Sequence, residues 1–166
     1  EGRHVGQEIC RALLVGEEQR FPHGDIKPSN IILAERGPNG IEVQIQDWGL
    51  SACRESQPTE TLQFMAPERH YGHPASSQGD LFSTGATLWN LLVGECPAYG
   101  HTSEEILQDW GSFDVHSLAQ RRPDLDEPFR HWIASLLRWQ PGDRVRKVAQ
   151  ALETLEPGAI SLAPAP

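Results

Sequence analysis

His23-Gly24-Asp25-Ile26-Lys27-Pro28-Ser29-Asn30 and Asp47-Trp48-Gly49 are the stretches that decide how this chain reads. In the first, a carboxylate (Asp25) precedes a lysine (Lys27) and then an asparagine (Asn30). A second carboxylate, Asp47, returns after two strand-like runs, Ile31 to Glu35 and Ile41 to Gln46, set around Gly37-Pro38-Asn39-Gly40. Asn-Gly between apolar runs is a strong hairpin signal. The spacing therefore predicts one hairpin with a carboxylate on either side of it.

Outward from this pair the pattern is helical. Val5, Ile9, Ala12 and Leu13 recur at helical spacing and predict an amphipathic helix over about 4–18. Residues 50–66 are polar and irregular and read as a loop. From about Gln78 to Val93 the chain is apolar nearly all round, which predicts a buried helix ended by Gly94 and Pro97. Thr102 with Glu105 offers a capping box before a short helix to about Trp110. Phe129, Trp132, Ile133, Leu136 and Leu137 mark another helix, broken by Pro141-Gly142-Asp143. A last helix is expected over about Val145 to Leu155, and the Pro/Ala-rich residues 157–166 read as a flexible tail or linker. The fold class is mostly α with a small sheet, in the α+β family: a helical bundle around a buried central helix, with the hairpin carrying the chemistry.

That chemistry points to phosphoryl transfer. Moving the γ-phosphoryl of ATP needs a carboxylate to orient the attacking hydroxyl, a cation on the phosphate and oxygen ligands for Mg²⁺. Asp25 to Asn30 resembles the catalytic loop of eukaryotic-type protein kinases, and Asp47-Trp48-Gly49 resembles their metal-binding DFG. The resemblance makes Asp25 the base and Lys27 the cation at the transferring phosphate. It makes Asn30 and Asp47 the Mg²⁺ ligands, and sets Lys27, Asn30, Ile32 and Asp47 against the nucleotide. It gives structural roles to His23, beneath the loop, and to Trp48, where the family usually has Phe. Ala66-Pro67-Glu68 resembles the motif that closes a kinase activation segment. Asp80, at the start of the buried helix, matches the residue that anchors the catalytic loop. Arg144 matches the arginine that pairs with Glu68. Lys27-Pro28-Ser29 is similar to the serine/threonine branch, and Thr61 matches the threonine that contacts the catalytic Asp and Lys there. Gly24 stands where most of the family has an arginine that holds a phosphate on the activation loop, which implies a kinase independent of such phosphorylation.

His-Gly-Asp and Asp-Trp also resemble the aminoglycoside and choline phosphotransferases, but these lack the Glu68, Asp80 and Arg144 set. The resemblance covers about residues 4–156 and only the larger, C-terminal lobe of a kinase domain, so residues 1–156 are expected to be that lobe. Just 22 residues precede His23 and they read as helix, which leaves no place in this chain for the family's Gly-rich loop, strand lysine or helix αC glutamate. Two further readings stand beside a serine/threonine kinase completed by an upstream N-lobe: a truncated pseudokinase serving as a binding or scaffold module, and a small-molecule phosphotransferase. Taken alone, the chain is expected to be inactive. It opens on Glu1 rather than Met, which fits a piece of a longer protein or a processed one.

Composition bounds the partners. The net charge is −9 over 166 residues, with no basic run long enough to follow a phosphate backbone, which argues against nucleic acid and for protein substrates. No apolar run reaches the ~18 to 20 residues of a membrane helix. Cys10, Cys53 and Cys96 lie far apart with no CxxC spacing, which argues against a zinc site or a disulfide framework and for a cytoplasmic setting. Six of the seven histidines, all but His23, read as solvated or loosely packed. The acidic stretch Glu104, Glu105, Asp109 and Asp114 reads as a solvated face. Ser51, Ser56 and Thr59 are loop hydroxyls open to phosphorylation.

Overall fold

The computed structural model describes residues 1–35, 40–49 and 59–156. The hairpin turn at 36–39, Ser51, Cys53 and Ser56, the side chain of Thr59 and the tail 157–166 lie outside the described residues.

Helix α1 (Gly2–Glu18) leads into the loop that carries Asp25 and Lys27, a single 3₁₀ turn (Pro28–Asn30) and the hairpin β1 (Ile31–Glu35) and β2 (Ile41–Ile45). The strands are antiparallel, in register Ile31↔Ile45 through Glu35↔Ile41. Ile31, Val43 and Ile45 pack toward the core, as the two-residue period of a strand requires, while Ile32 and Gln44 share the exposed face. Beyond the hairpin lie α2 (Thr59–Leu62), α3 (Pro67–His70), α4 (Ser77–Val93), α5 (Ser103–Ser112), α6 (Leu118–Arg121), α7 (Glu127–Leu136) and α8 (Val148–Leu155).

Helix α4 is the centre of the bundle. Every residue from Gly79 to Trp89 is buried, because α1, α7 and α8 all pack against it. An element surrounded on every side must be apolar on every side, and the sequence from Leu81 to Trp89 meets that demand. The Ser76 hydroxyl caps α4 by accepting the Gly79 N–H at 3.0 Å. Helix α1 lays Val5, Ile9, Cys10 and Leu13 on this core. The Trp132 indole N–H donates to the Ala151 carbonyl at 2.9 Å and ties α7 to α8. No described helix is long and apolar enough to cross a membrane.

The structure departs from the sequence reading in several places. Residues 59–62 and 67–70 are single helical turns, although the first lies in a stretch read as loop. Turns at Val115–Ser117 and Leu118–Arg121 had no predicted counterpart. Such short helices rest on tertiary packing rather than propensity. Helix α8 begins at Val148, not near Val145, because its cap is remote: the Glu17 carboxylate on α1 accepts the Val148 N–H at 3.1 Å, where Lys147 provides no side-chain cap. In the capping box, Thr102 accepts the Glu105 N–H at 3.2 Å, but the Glu105 carboxylate accepts from His101 rather than from Thr102 itself. His4 and His70 are not loosely packed. His4 bonds the Ile41 carbonyl at 2.7 Å, and both ring nitrogens of His70 are buried.

A buried ion pair fixes the first turn of α4. All five N–H donors of Arg144 are used: Nη1 and Nη2 each donate to a Glu68 carboxylate oxygen at 2.7 Å, Nε to the Arg138 carbonyl at 2.6 Å, and the others to the Gln78 and Trp139 carbonyls. The guanidinium also lies 4.8 Å from the centroid of the Phe82 ring. Removing one member of a buried pair strands the other. Arg144→Ala is therefore expected to destabilise the chain by roughly 3–5 kcal/mol, and Arg144→Lys to recover only part, since an ammonium cannot reproduce the fork. In denaturant melts the Glu68→Ala/Arg144→Ala double variant should lose less than the sum of its singles; strict additivity would contradict the coupling.

Candidate active site

The site is assembled on the loop between α1 and β1, and α4 holds that loop from below. The Asp80 carboxylate, buried in the first turn of α4, accepts the His23 N–H with one oxygen and the Gly24 N–H with the other, each at 2.7 Å. Gly24 sits at φ +77°, in the left-handed region that a side chain resists. The site thus has a backbone reason for glycine where the resembling family has arginine.

His23 is fully buried and fixes the next layer. Its Nδ1 accepts the Asp25 N–H at 3.1 Å, so the ring proton sits on Nε2, which donates to the Gln46 carbonyl at 2.8 Å. One neutral tautomer satisfies both bonds, and burial lowers the pKa of His23 in agreement. Through this ring the Asp25 backbone is tied to the end of β2, beside Asp47. The Trp48 indole meets the His23 ring edge-on, 4.8 Å between centroids.

Three polar side chains converge above. One carboxylate oxygen of Asp25, Oδ2, lies 3.1 Å from both the Lys27 ammonium and the Asn30 amide nitrogen. That amide also donates to the Asp25 carbonyl at 2.8 Å, which leaves the Asn30 amide oxygen for another partner. Lys27 reaches on to the Thr61 hydroxyl at 2.6 Å. Asp25, Lys27, Asn30 and Thr61 are all buried, so these bonds form with little competition from water. Asp47 and Ile32 face outward. Asp47 takes φ +62°, which aspartate tolerates better than most residues.

The loop therefore gathers Asp25, Lys27, Asn30 and Thr61 directly, with His23 linking Asp25 to the Asp47 end of the hairpin. Asp80 lies beneath, whereas Glu68 and Arg144 form a separate structural anchor. Sequence reasoning did not single out Gln46, whose carbonyl orients His23. Nor did it single out Gly16, against which Trp48 packs. Gln46 acts through its backbone and carries no sequence signal; an isolated glycine inside a helical pattern was the available clue to Gly16. The donor set suits Mg²⁺, a hard cation commonly held by one or two carboxylates together with substrate phosphates. An exposed carboxylate at Asp47 and the amide oxygen of Asn30 are oxygen ligands of that kind. Among the described residues no group of three or more His, Cys, Asp or Glu forms a metal cage.

Comparison with known proteins agrees with this geometry. Residues 1–155 match the family described as the protein kinase domain. The chain belongs to the protein kinase family. It is 33% identical to a probable serine/threonine-protein kinase, PknA2 of Bifidobacterium longum, over 98% of this chain and 22% of the relative. It is also 33% identical to Aurora kinase C of Mus musculus, over 89% of this chain and 51% of the relative. The chain thus spans about half or less of these relatives. Among solved structures, the Rad53 kinase domain with SCD2 in complex with AMPPNP superposes with a TM-score of 0.71 and 28% identity, covering 92% of this chain and 57% of that one.

Burial pushes the Asp80 carboxyl from an ordinary 3.8 up to about 7, against the pull of the Gly24 and His23 amides and the Arg69 guanidinium. The folded state then holds a proton that the unfolded chain has released, so this group's contribution to stability falls as pH rises from about 4 to about 7 and is level above that. Asp80→Asn removes the titration and one acceptor. In denaturant melts its stability deficit against the wild type should be larger at pH 5 than at pH 8. Equal deficits at the two pH values would contradict the shift.

Proposed function

We propose that this chain is the catalytic part of a serine/threonine protein kinase, transferring the γ-phosphoryl of ATP to Ser or Thr hydroxyls of proteins. The observation that carries this reading is the bond from Lys27 to Thr61 together with the shared Asp25 oxygen. A carboxylate, a cation and a hydroxyl from the following segment meet at one point, where a substrate hydroxyl and a phosphoryl group have to meet as well.

Asp25 orients the incoming hydroxyl and takes its proton as the new P–O bond forms and the bond to ADP breaks. Lys27, held between Asp25 and Thr61, places positive charge beside the transferring phosphoryl. Asn30 and Asp47 would hold Mg²⁺, which supplies charge neutralisation on the phosphates. Ile32, exposed on β1, offers an apolar floor to the adenine. Thr61 links this centre to the segment ending at Glu68 and so couples substrate seating to the base. The AMPPNP bound in the Rad53 structure supports ATP as the nucleotide. The Thr61 contact and the Glu68–Arg144 anchor favour a protein substrate over a small molecule.

The full-length protein carrying this chain should phosphorylate Ser or Thr. Asp47→Ala should abolish transfer, and Asp25→Ala should reduce kcat by roughly 10²–10⁴-fold, the contribution typical of a positioned acid–base group. Residues 1–166 alone should transfer no label, because positioning supplies roughly 7–11 kcal/mol of such barriers and this chain holds only part of the apparatus. Phosphatase treatment should leave the rate nearly unchanged, as Gly24 offers no arginine to an activation-loop phosphate. Label on tyrosine or on an aminoglycoside, or full activity in Asp47→Ala, would overturn the reading.

A further inference from the structure

Gly16 lies in the last turns of α1, and glycine is the poorest helix former after proline. Its position has a specific reason. A Cβ on Gly16 would stand 2.6 Å from Cζ3 and 3.0 Å from Cη2 of Trp48, and 2.8 Å from the Phe21 carbonyl oxygen. Neither a fused ring nor a backbone carbonyl can swing aside, so the missing side chain is a notch that admits the indole. The neighbouring wall is His23, 4.8 Å away between centroids and pinned by its bonds to Asp25 and Gln46.

The same corner holds the next residue. Gly49 takes φ +74°, and a Cβ there would lie 2.5 Å from Cζ of the Phe21 ring. Asp47 and Gly49, on either side of Trp48, are both in the left-handed region. Among the described residues no hydrogen bond holds the Asp47 carboxylate, and the residue that follows it in this left-handed turn, Trp48, is the one packed into the notch.

We propose that Gly16 is a positioning residue for Asp47: the notch it leaves in α1 seats Trp48, and the seated indole aims the Asp47 carboxylate at the metal. The proposal rests on the reading of Asp47 as a Mg²⁺ ligand. Phenylalanine at 48 would need less of the notch, so Gly16 and Trp48 act as a matched pair.

The test is Mn²⁺ affinity in the presence of AMPPNP, read by water-proton relaxation on the full-length protein. Asp47→Ala serves as the control. Gly16→Ala should weaken Mn²⁺ binding by about ten- to a hundredfold, the scale on which losing a residue that orients a metal ligand acts. Trp48→Phe keeps a ring against His23 but leaves the notch unfilled, so it should weaken Mn²⁺ binding less than Gly16→Ala. The Gly16→Ala/Trp48→Phe double variant should bind Mn²⁺ more tightly than Gly16→Ala, because the indole contact is relieved, but short of wild type, because the Phe21 carbonyl contact remains. If Gly16→Ala does not fold, Trp48→Ala empties the seat without a clash and should weaken Mn²⁺ binding likewise. Unchanged Mn²⁺ affinity in Gly16→Ala or in Trp48→Ala, or a double variant no better than Gly16→Ala, would overturn the proposal provided Asp47→Ala weakens binding. Were Asp47→Ala itself without effect, the metal reading of Asp47 would fall first, and the proposal with it.

Discussion

The carboxylate of Asp80 is the constraint on which the rest of the site depends. Its two oxygens hold the amides of His23 and Gly24, and from there the order propagates upward. His23 receives the Asp25 amide and grips the Gln46 carbonyl. The loop and the end of the hairpin are thereby locked to one another and to the most buried helix of the molecule. The first turn of α4 also serves a second anchor, since the Gln78 carbonyl accepts from Arg144 and the Gln78 amide donates to Pro141. One helix end thus fixes both the loop that carries Asp25 and the segment that closes at Glu68.

Buried charge is an expensive way to fix geometry, and the chain uses it sparingly. Glu68 has a bidentate arginine, whereas the two amides on Asp80 do not fully offset its burial, which raises its pKa to about 7. The surface pairs Arg3–Asp126, Arg121–Glu95 and Arg122–Asp124 are of another kind. They are exposed to solvent, which screens them, so each adds little. Specificity of shape here comes from the few buried ions and from the apolar surround of α4, not from the number of ion pairs.

The parts of the fold that could be read from the chain are those whose signals are local. The strand-like runs of β1 and β2 and the nearly all-round apolar character of α4 are written in consecutive residues, and the structure has both. The start of α8 was not legible because its cap, Glu17, lies far away in the chain. The single turns at α2, α3 and α6 depend on what they pack against. In the site, Asp25, Lys27, Asn30 and Asp47 were found by resemblance, as their spacing follows one loop and one hairpin. Their supports His23, Thr61 and Asp80 were found in the same way, but Gln46 and Gly16 were not. A backbone carbonyl at Gln46 leaves no mark in a sequence, and a glycine inside a helical pattern at Gly16 marks a close approach without naming the partner.

These supports give the chain a plain physical logic. A buried helix orders a loop, the loop orders a carboxylate and a lysine, and Trp48, packed against His23 and Gly16, adjoins the second carboxylate, Asp47. The central claim is that Asn30 and Asp47 share one metal. An anomalous-scattering map from crystals of the full-length protein grown with Mn²⁺ and AMPPNP tests it most directly. The account predicts a Mn²⁺ peak coordinated by the Asn30 amide oxygen, the Asp47 carboxylate and phosphate oxygens, with Asp25 facing the γ-phosphoryl. A bound nucleotide whose metal touches neither Asn30 nor Asp47 would contradict it.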